Sequence, residues 1–375
     1  MKLFYVFSID YQLLSHRKEV VAAAIGRGYE VTVVAKDTGL RAEIEAMGVR
    51  FIDLPINRVG TRPWEELRTL VFLYRLYKKE MPDIVHHVSL KVVLWGGLAA
   101  KLAGVPAVVN AINGLGVFFE SGETDSQTKR IVASIIAFSN KRQKCLTIFQ
   151  NDEDRDFFVR KGMIKFEQTR RINGSGVNLN VFRHVCPQRS IPLKVLFLSR
   201  MIEEKGVFDI IEAAKILKPK YEGRIAFLLC GLIETNPKAV REETLNRECD
   251  GKYLQYLGWR ADARELIEES AVVLLPSYYR EGIPKTLIEA AAVGRPIITT
   301  DWVGCKEVVD NGVNGFLIPI KSPAVLAEKI ELLVNDDELR EYMGNESRKI
   351  AEAKFSIEEV IARHFDIYDE QAPIE

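Results

Sequence analysis

Two cations and two carboxylates in the second half of the chain have the types and spacing for chemistry on a diphosphate. Glu281 and Glu289 close the segment Ser277-Tyr-Tyr-Arg-Glu-Gly-Ile-Pro-Lys-Thr-Leu-Ile-Glu289, just after the buried-strand pattern Ala271-Val-Val-Leu-Leu-Pro276. A strand, a Gly-Pro loop and an apolar helix start form the layout of a phosphate-binding turn in an open α/β sheet. Thr286, Leu287 and Ile288 fall in that first turn, where amides lack partners and the helix dipole presents its positive end. Glu281 then precedes the helix. Glu289 lies one turn in, placed to accept hydrogen bonds from a neutral hydroxyl such as that of a ribose.

Upstream, Lys194-Val-Leu-Phe-Leu-Ser-Arg200 reads as a strand and Met201-Ile-Glu-Glu-Lys205-Gly206 as the loop into a helix from Val207 to Leu217. This puts Arg200 and Lys205 on the sheet's carboxyl edge. A guanidinium fork and an ammonium suit a diphosphate that gains charge as a bond to it breaks. Carboxylates beside a diphosphate repel it, so the ligand must also offer hydroxyls, as a nucleotide sugar does. The plain alternatives are a solvated acidic helix start and a basic surface loop. The two signals sit in one half of the chain, next to a Gly-rich strand end, Phe227-Leu-Leu-Cys-Gly231, and that favours the site.

The elements around these residues alternate. Strand patterns at Leu3–Phe7, Glu30–Ala35, Arg50–Leu54, Ile84–His86, Ala107–Ala111 and Leu146–Phe149 are separated by helical patterns such as Glu19–Gly26, Leu40–Ala46 and Gly96–Ala103. A second series begins at Leu193. Such alternation predicts parallel, doubly wound sheets. At 375 residues the chain fits two cores better than one. Asn173-Gly-Ser-Gly-Val-Asn-Leu-Asn-Val-Phe182, and then Pro187 to Pro192, read as the linker. The expected organisation is α/β, with two Rossmann-like domains facing a cleft. The first is expected over residues 1–180 and the second over 181–355, with a last helix from about 356 crossing back to the first.

An apolar content of 47% and a charged content of 28% belong to a water-soluble globular chain. No apolar run reaches membrane-spanning length. Met1-Lys2 followed by Leu3-Phe-Tyr-Val-Phe-Ser8 looks like a first strand and lacks a signal-peptide cleavage site. The five cysteines are scattered and odd in number, so reduced thiols in a cytoplasm are expected, without zinc or disulfides. The net charge of zero hides an asymmetry: residues 1–185 hold 27 Lys and Arg against 19 Asp and Glu, whereas the rest hold 25 against 33. The basic first half suggests an anionic partner. Pro63 to Lys79 reads as a helix with aromatic residues and an Arg/Lys face. It could lie on anionic lipid or pack on the sheet as an ordinary amphipathic helix, the plainer reading.

The Glu pair and the Arg/Lys loop resemble the Glu-x7-Glu element and the Arg-x4-Lys-Gly stretch of retaining glycosyltransferases of family 4, a two-domain GT-B group. Further stretches follow that pattern: Tyr256-Leu-Gly-Trp-Arg260, Ala290-Ala-Ala-Val-Gly-Arg-Pro-Ile-Ile-Thr-Thr-Asp301 and Gly304 to Leu317. The first half is similar to members that build bacterial capsule, O-antigen and other lipid-linked glycans, through Leu13-Leu-Ser-His16-Arg17, Pro82-Asp-Ile-Val-His-His87, Gly97 to Pro106, Asn110-Ala-Ile-Asn-Gly-Leu-Gly116 and Phe149-Gln-Asn-Asp-Glu-Asp.

The resemblance implies a catalytic set of Glu281, Arg200 and Lys205. It implies donor contacts at Glu289, Gly282, Ile283, Pro284, Thr286, Leu287, Gly231, Gly258, Trp259 and Arg260. On the acceptor side the candidates are His16, Arg17, Asn113, Gly114, Gly116 and His87. The loop after the first strand lacks the Gly-Gly pair of many members, so His16 and Arg17 are candidates for the acceptor's diphosphate, or simply a Ser-His-Arg helix cap. Asn110 and Asn113 stand where many members have His or Asp and cannot act as bases. His86 and His87 alternate along one strand, so at most one is functional. Asp152-Glu-Asp154 invites a metal reading, but an acidic first helical turn explains it better.

The expected activity is retaining transfer of a hexose or N-acetylhexosamine, without metal or other cofactor. UDP-GalNAc, UDP-GlcNAc and UDP-Gal are the donor candidates, and the acceptor is expected to be a sugar on polyprenyl diphosphate. The protein is then cytoplasmic and peripheral on the inner face of the cytoplasmic membrane, with an anionic membrane surface as partner and no nucleic acid. A same-fold nucleotide-sugar epimerase and a non-catalytic nucleotide-sugar-binding scaffold are the alternatives.

Overall fold

The computed structural model describes residues 1–57, 62–115, 126–186, 189, 191–234 and 238–372. The chain forms two compact units, Met1–Ser175 with Ile357–Glu375, and Gly176–Ser356. Each is built on one parallel sheet. Strands this rich in Val, Ile and Leu need both faces covered, and flanking helices cover them.

The first sheet comprises β1 (Lys2–Val6), β2 (Glu30–Ala35), β3 (Arg50–Asp53), β4 (Ile84–Val88), β5 (Ala107–Ile112), β6 (Cys145–Phe149) and β7 (Thr169–Arg171), in the order β3-β2-β1-β4-β5-β6-β7. The second comprises β8 (Leu193–Leu198), β9 (Ile225–Cys230), β10 (Leu254–Gly258), β11 (Val272–Leu275), β12 (Ile297–Thr300) and β13 (Gly315–Ile318), in the order β10-β9-β8-β11-β12-β13. Both orders reverse direction once, between β1 and β4 and between β8 and β11. In a doubly wound sheet that reversal opens a crevice at the carboxyl ends of the two central strands. Pairing of β8 with β11 sets Val195 beside Val272 and Phe197 beside Leu274, so the loops leaving the two strands start level with each other.

The strands follow the sequence pattern closely, apart from β7, β10 and β13, which it does not single out. The boundary between units differs from expectation, at 175/176 rather than 180/181. Residues after Gly176 are already anchored to the second unit. Val177 N–H donates to Phe355 O at 2.9 Å, the Arg348 guanidinium to Phe182 O at 2.8 Å and the buried Arg295 to Val185 O at 2.9 Å. The last helix, Ile357–Gln371, belongs to the first unit, where it buries Val360, Phe365 and Tyr368.

Candidate functional site

The crevice between β8 and β11 collects the charged residues picked out by the sequence. β8 ends at Leu198, and the loop through Ser199 and Arg200 enters a short 3-10 turn, Glu203–Lys205, before the helix Val207–Tyr221. β11 ends at Leu275, and the loop Pro276–Pro284 enters the helix Lys285–Val293. The two loops are stitched together. The Glu204 carbonyl accepts from Tyr278 N–H at 2.8 Å, Tyr279 N–H at 3.1 Å and the Ser277 hydroxyl at 3.2 Å. Gly206 permits this approach: its φ is +80°, and a Cβ there would lie 2.3 Å from the Pro276 carbonyl oxygen.

Across this seam the Lys205 ammonium pairs with Glu281 Oε1, and Ser277 Oγ donates to the same oxygen at 3.3 Å. The Lys205 side chain is only 5% exposed and that of Glu281 18%, so the pair is largely shielded from water. Arg200 pairs with Glu234 at 3.1 Å and is more open. Burial opposes its charge, but Glu234, Tyr279 and Glu281 more than offset this and hold its pKa above the ordinary value. The Tyr279 ring serves both cations, with its centroid 5.4 Å from Arg200 Cζ and 5.5 Å from Lys205 Nζ. Beneath the pair lies Cys305, whose thiol burial pushes up to about 12, so it stays protonated.

Glu289 is buried in the helix Lys285–Val293 and faces Lys285 at 3.5 Å. At the start of that helix one expectation needs correcting. The Leu287 amide is not open, because it donates to Pro284 O at 3.1 Å. Thr286 N–H is the amide of the expected pair without a backbone partner among the described residues, and its hydroxyl ties the helix to Leu198 O at 3.0 Å. Gly282, Ile283 and Pro284 are buried in the loop ahead of it.

Gly304 sets the position of that loop. With φ at +84°, a Cβ on Gly304 would lie 1.7 Å from Gly282 O and 2.6 Å from Glu281 O. Backbone meets backbone there, so Gly304→Ala must shift the Glu281–Gly282 segment. A displacement near 1 Å can cost about 10²-fold in rate. Gly304→Ala is therefore expected to lower kcat by about 10²-fold, read by steady-state kinetics beside a melting curve. Wild-type kcat would show that the loop yields without moving Glu281.

At the neighbouring strand ends, Gly231 N–H donates to Gly258 O at 2.9 Å and Tyr256 Oη donates to Gly231 O at 3.1 Å. Trp259 is 58% exposed, and Arg260 is turned onto Asp262 at 2.8 Å. The donor candidates thus fall into two groups, the seam between the β8 and β11 loops and the ends of β9 and β10.

The first-unit candidates fare differently. Arg17 is 1% exposed, in an interior cluster with Tyr5, His86, His364 and Tyr368, and its Nη1 donates to His16 O at 2.9 Å. His87 is fully buried between Tyr77 Oη at 3.0 Å and Asn110 Oδ1 at 2.9 Å. Neither side chain is open to an acceptor, so both readings are corrected. The helix Leu90–Ala103, with Tyr77 of the helix Pro63–Glu80, closes over the His87 face of β4, and the last helix closes over the His86 face through Tyr368. His16 and Gly114 are half-buried, and Asn113 accepts from Gln150 at 3.2 Å. Gly116 lies outside the described residues. Asp152 pairs with Arg155 at 2.9 Å and Arg171 at 2.6 Å in the first turn of the helix Asp152–Arg160. No cluster of three or more metal-ligating side chains occurs among the described residues.

Sequence reasoning missed Ser277, Tyr279, Glu204 and Glu234. Tyr279 and Ser277 carried a faint signal, as polar or aromatic residues just before Glu281. Glu234 carried none, because only the fold brings it to Arg200.

The chain is similar to known proteins in sequence and in fold. Residues 187–350 match the family model "Glycosyl transferases group 1" and residues 3–151 match "Glycosyl transferase 4-like". The chain is 34% identical to spore coat protein SA of Bacillus subtilis, covering 94% of this chain and 93% of that one. It is 28% identical to N,N'-diacetylbacillosaminyl-diphospho-undecaprenol alpha-1,3-N-acetylgalactosaminyltransferase of Campylobacter jejuni, over 94% of each. Its fold matches Anabaena Alr3699/HepE in complex with UDP-glucose, with a TM-score of 0.77 at 17% identity over 99% of this chain and 100% of that one. The chain belongs to glycosyltransferase family 4 and has the GT-B fold.

Proposed function

We propose that this protein transfers a hexose or N-acetylhexosamine from a UDP-sugar to a sugar on polyprenyl diphosphate, with retention of anomeric configuration, at the inner face of the cytoplasmic membrane. The observation that carries the reading is the seam between the β8 and β11 loops, where Lys205, Glu281 and Arg200 converge on a helix start. Support for the substrates comes from relatives: one is named for an undecaprenol-diphosphate acceptor, and a solved neighbour holds UDP-glucose.

Arg200, Lys205 and the Thr286 amide take the donor's diphosphate, which competes with Glu234 and Glu281 for the two cations. Glu289 accepts from the ribose hydroxyls. Glu281, with the Gly282 and Ile283 backbone, orients the hexose. The acceptor hydroxyl attacks the anomeric carbon from the face the diphosphate leaves, and a diphosphate oxygen takes the hydroxyl proton. An α-linked donor then gives an α-linked product. The cations and the helix dipole carry the leaving charge in this scheme, which makes a metal dispensable.

A thermal-shift screen of UDP-sugars tests the reading. A ligand at 100 times its Kd stabilises by about 2.7 kcal/mol, a shift of several degrees. One UDP-sugar is expected to raise the melt of the wild type, to do so in EDTA, and to lose the effect in Arg200→Ala. A shift abolished by EDTA would overturn the metal-free scheme. The absence of any shift would overturn the donor site. Consumption of the UDP-sugar without acceptor would point to the epimerase.

A further inference from the structure

The helix Pro63–Glu80 resolves the two readings of its pattern by doing something on each side. Thr69, Leu73 and Tyr77 are buried: Thr69 donates to Pro55 O at 2.7 Å, and Leu73 and Tyr77 join an apolar cluster with Phe4, Val6 and Val85 of the first sheet and Val92 and Ala99 of the helix Leu90–Ala103. At 100° per residue the opposite arc carries Trp64, Leu67, Arg68, Tyr74, Arg75, Lys78 and Lys79, all exposed. Trp64 is 81% exposed and Leu67 48%, an unusual placement for large apolar side chains.

The charge on this arc has one sign. The helix's three acids lie off it and are engaged elsewhere. Glu65 accepts from Asn57 at 2.8 Å, Glu66 pairs with Lys91 at 2.6 Å, and Glu80 pairs with Arg50 at 2.9 Å and lies 4.0 Å from Lys79, whose side chain stays 80% exposed. What remains is a flat strip about 27 Å long, with aromatic and aliphatic tips set among four cations. Self-association through a two-fold axis would lay these cations against each other, so a second copy of the chain does not fit. A bilayer bearing anionic headgroups fits both components. Trp and Tyr rings settle at headgroup level, and Arg and Lys meet the surface charge. No helix among the described residues is long and apolar enough to cross a membrane.

We propose that the outward face of the helix Pro63–Glu80 is the surface on which this protein lies on an anionic lipid bilayer. The inference rests on the reading above, in which the acceptor's lipid stays in the membrane, and it identifies the part of the chain that meets that membrane.

Co-sedimentation with vesicles of phosphatidylcholine alone, and of phosphatidylcholine with phosphatidylglycerol, tests it. Wild type should bind the second kind and release as salt rises. Arg68→Glu with Arg75→Glu should weaken that binding about thirtyfold or more. Trp64→Ala with Leu67→Ala should weaken it about tenfold and reduce salt-resistant binding. Arg160→Glu with Lys165→Glu makes the same change in net charge at exposed positions elsewhere on this unit and should bind as wild type does. Equal loss in that control, or wild-type binding by both helix variants, overturns the proposal. So does a dimer in sedimentation velocity that the helix variants dissociate. All these side chains are exposed, so unchanged melting curves are expected to certify folding. Transfer to a water-soluble, short-prenyl acceptor separates this inference from the functional one. The helix variants should keep that activity. If wild type binds vesicles through this face yet transfers nothing, the surface stands and the proposed reaction falls.

Discussion

Arg200→Ala is expected to lower kcat by about 10²-fold or more, which corresponds to about 2.7 kcal/mol of lost transition-state stabilisation. The reason is where charge grows. As the glycosidic bond breaks, negative charge accumulates on the diphosphate, and a cation that binds it does more for the transition state than for the bound substrate. kcat and kcat/KM should therefore fall together, rather than KM rising alone. The structure makes Arg200 the cleaner of the two cations to remove. Its partner Glu234 has a side chain 30% exposed and can be hydrated once the guanidinium is gone. Lys205 is different, because its loss leaves Glu281 shielded from water without its cation, adding a folding cost to any catalytic one. Steady-state kinetics with saturating acceptor decide the matter. An Arg200→Ala enzyme with unchanged kcat/KM would remove Arg200 from the diphosphate.

The second large effect is on stability in mild acid. His86, His87 and His364 are wholly buried in the first unit. Burial lowers the His87 pKa to about 4 and that of His364 to about 3, and lowers His86 as well. Asn110 Oδ1 can only accept, so His87 carries its proton on Nδ1 and takes the Tyr77 hydroxyl on Nε2; both bonds suit a neutral ring. The sign follows from linkage. The folded pKa values lie below the unfolded value of about 6.5, so between pH 6.5 and 4 the unfolded chain binds protons that the folded chain refuses. Stability is complete above about pH 6.5 and is lost as pH falls. At pH 5 His87 and His364 together cost about 4 kcal/mol, at about 1.4 kcal/mol per pH unit each. For a unit of this size that is a Tm lower by about 10 °C than at pH 7. Calorimetry at pH 7, 6 and 5 would show it, with the first unit's transition moving most. A Tm flat across that window would mean the histidines are charged or open in the folded protein. Carboxylates do not confuse the test, since they titrate mainly below it.

The same histidines show where sequence reading stops. His86 and His87 alternate along one strand, and alternation alone leaves at most one of them for function. Alternation holds, because the two rings leave β4 on opposite faces. Both faces, however, are covered by helices whose positions no local pattern specifies. Arg17 makes the point more sharply. A basic residue in a loop after the first strand reads as a ligand contact, yet here its guanidinium is buried among Tyr5, Tyr368, His86 and His364, two of which come from the far end of the chain.

What the sequence determined by itself was the fold and the chemical core of the site. Period-two and continuous apolar runs, Gly and Pro punctuation and strand-helix alternation are local signals, and they suffice for two doubly wound sheets. Once β8 and β11 flank the reversal of strand order, Arg200, Lys205 and Glu281 must meet, because each follows one of those strands by a few residues. Only tertiary structure decided which partners they take and which candidates drop out. The pairing of Arg200 with Glu234, the shared Tyr279 ring and the closed Leu287 amide depend on loop paths. The placement of the boundary at Gly176 depends on anchoring by Arg295 and Arg348 from more than 100 residues away. The burial of Arg17 and His87, and the bare face of the helix Pro63–Glu80, were settled by which surface each helix turned to its neighbours. Those are energies of long-range packing, which a residue's local sequence does not carry.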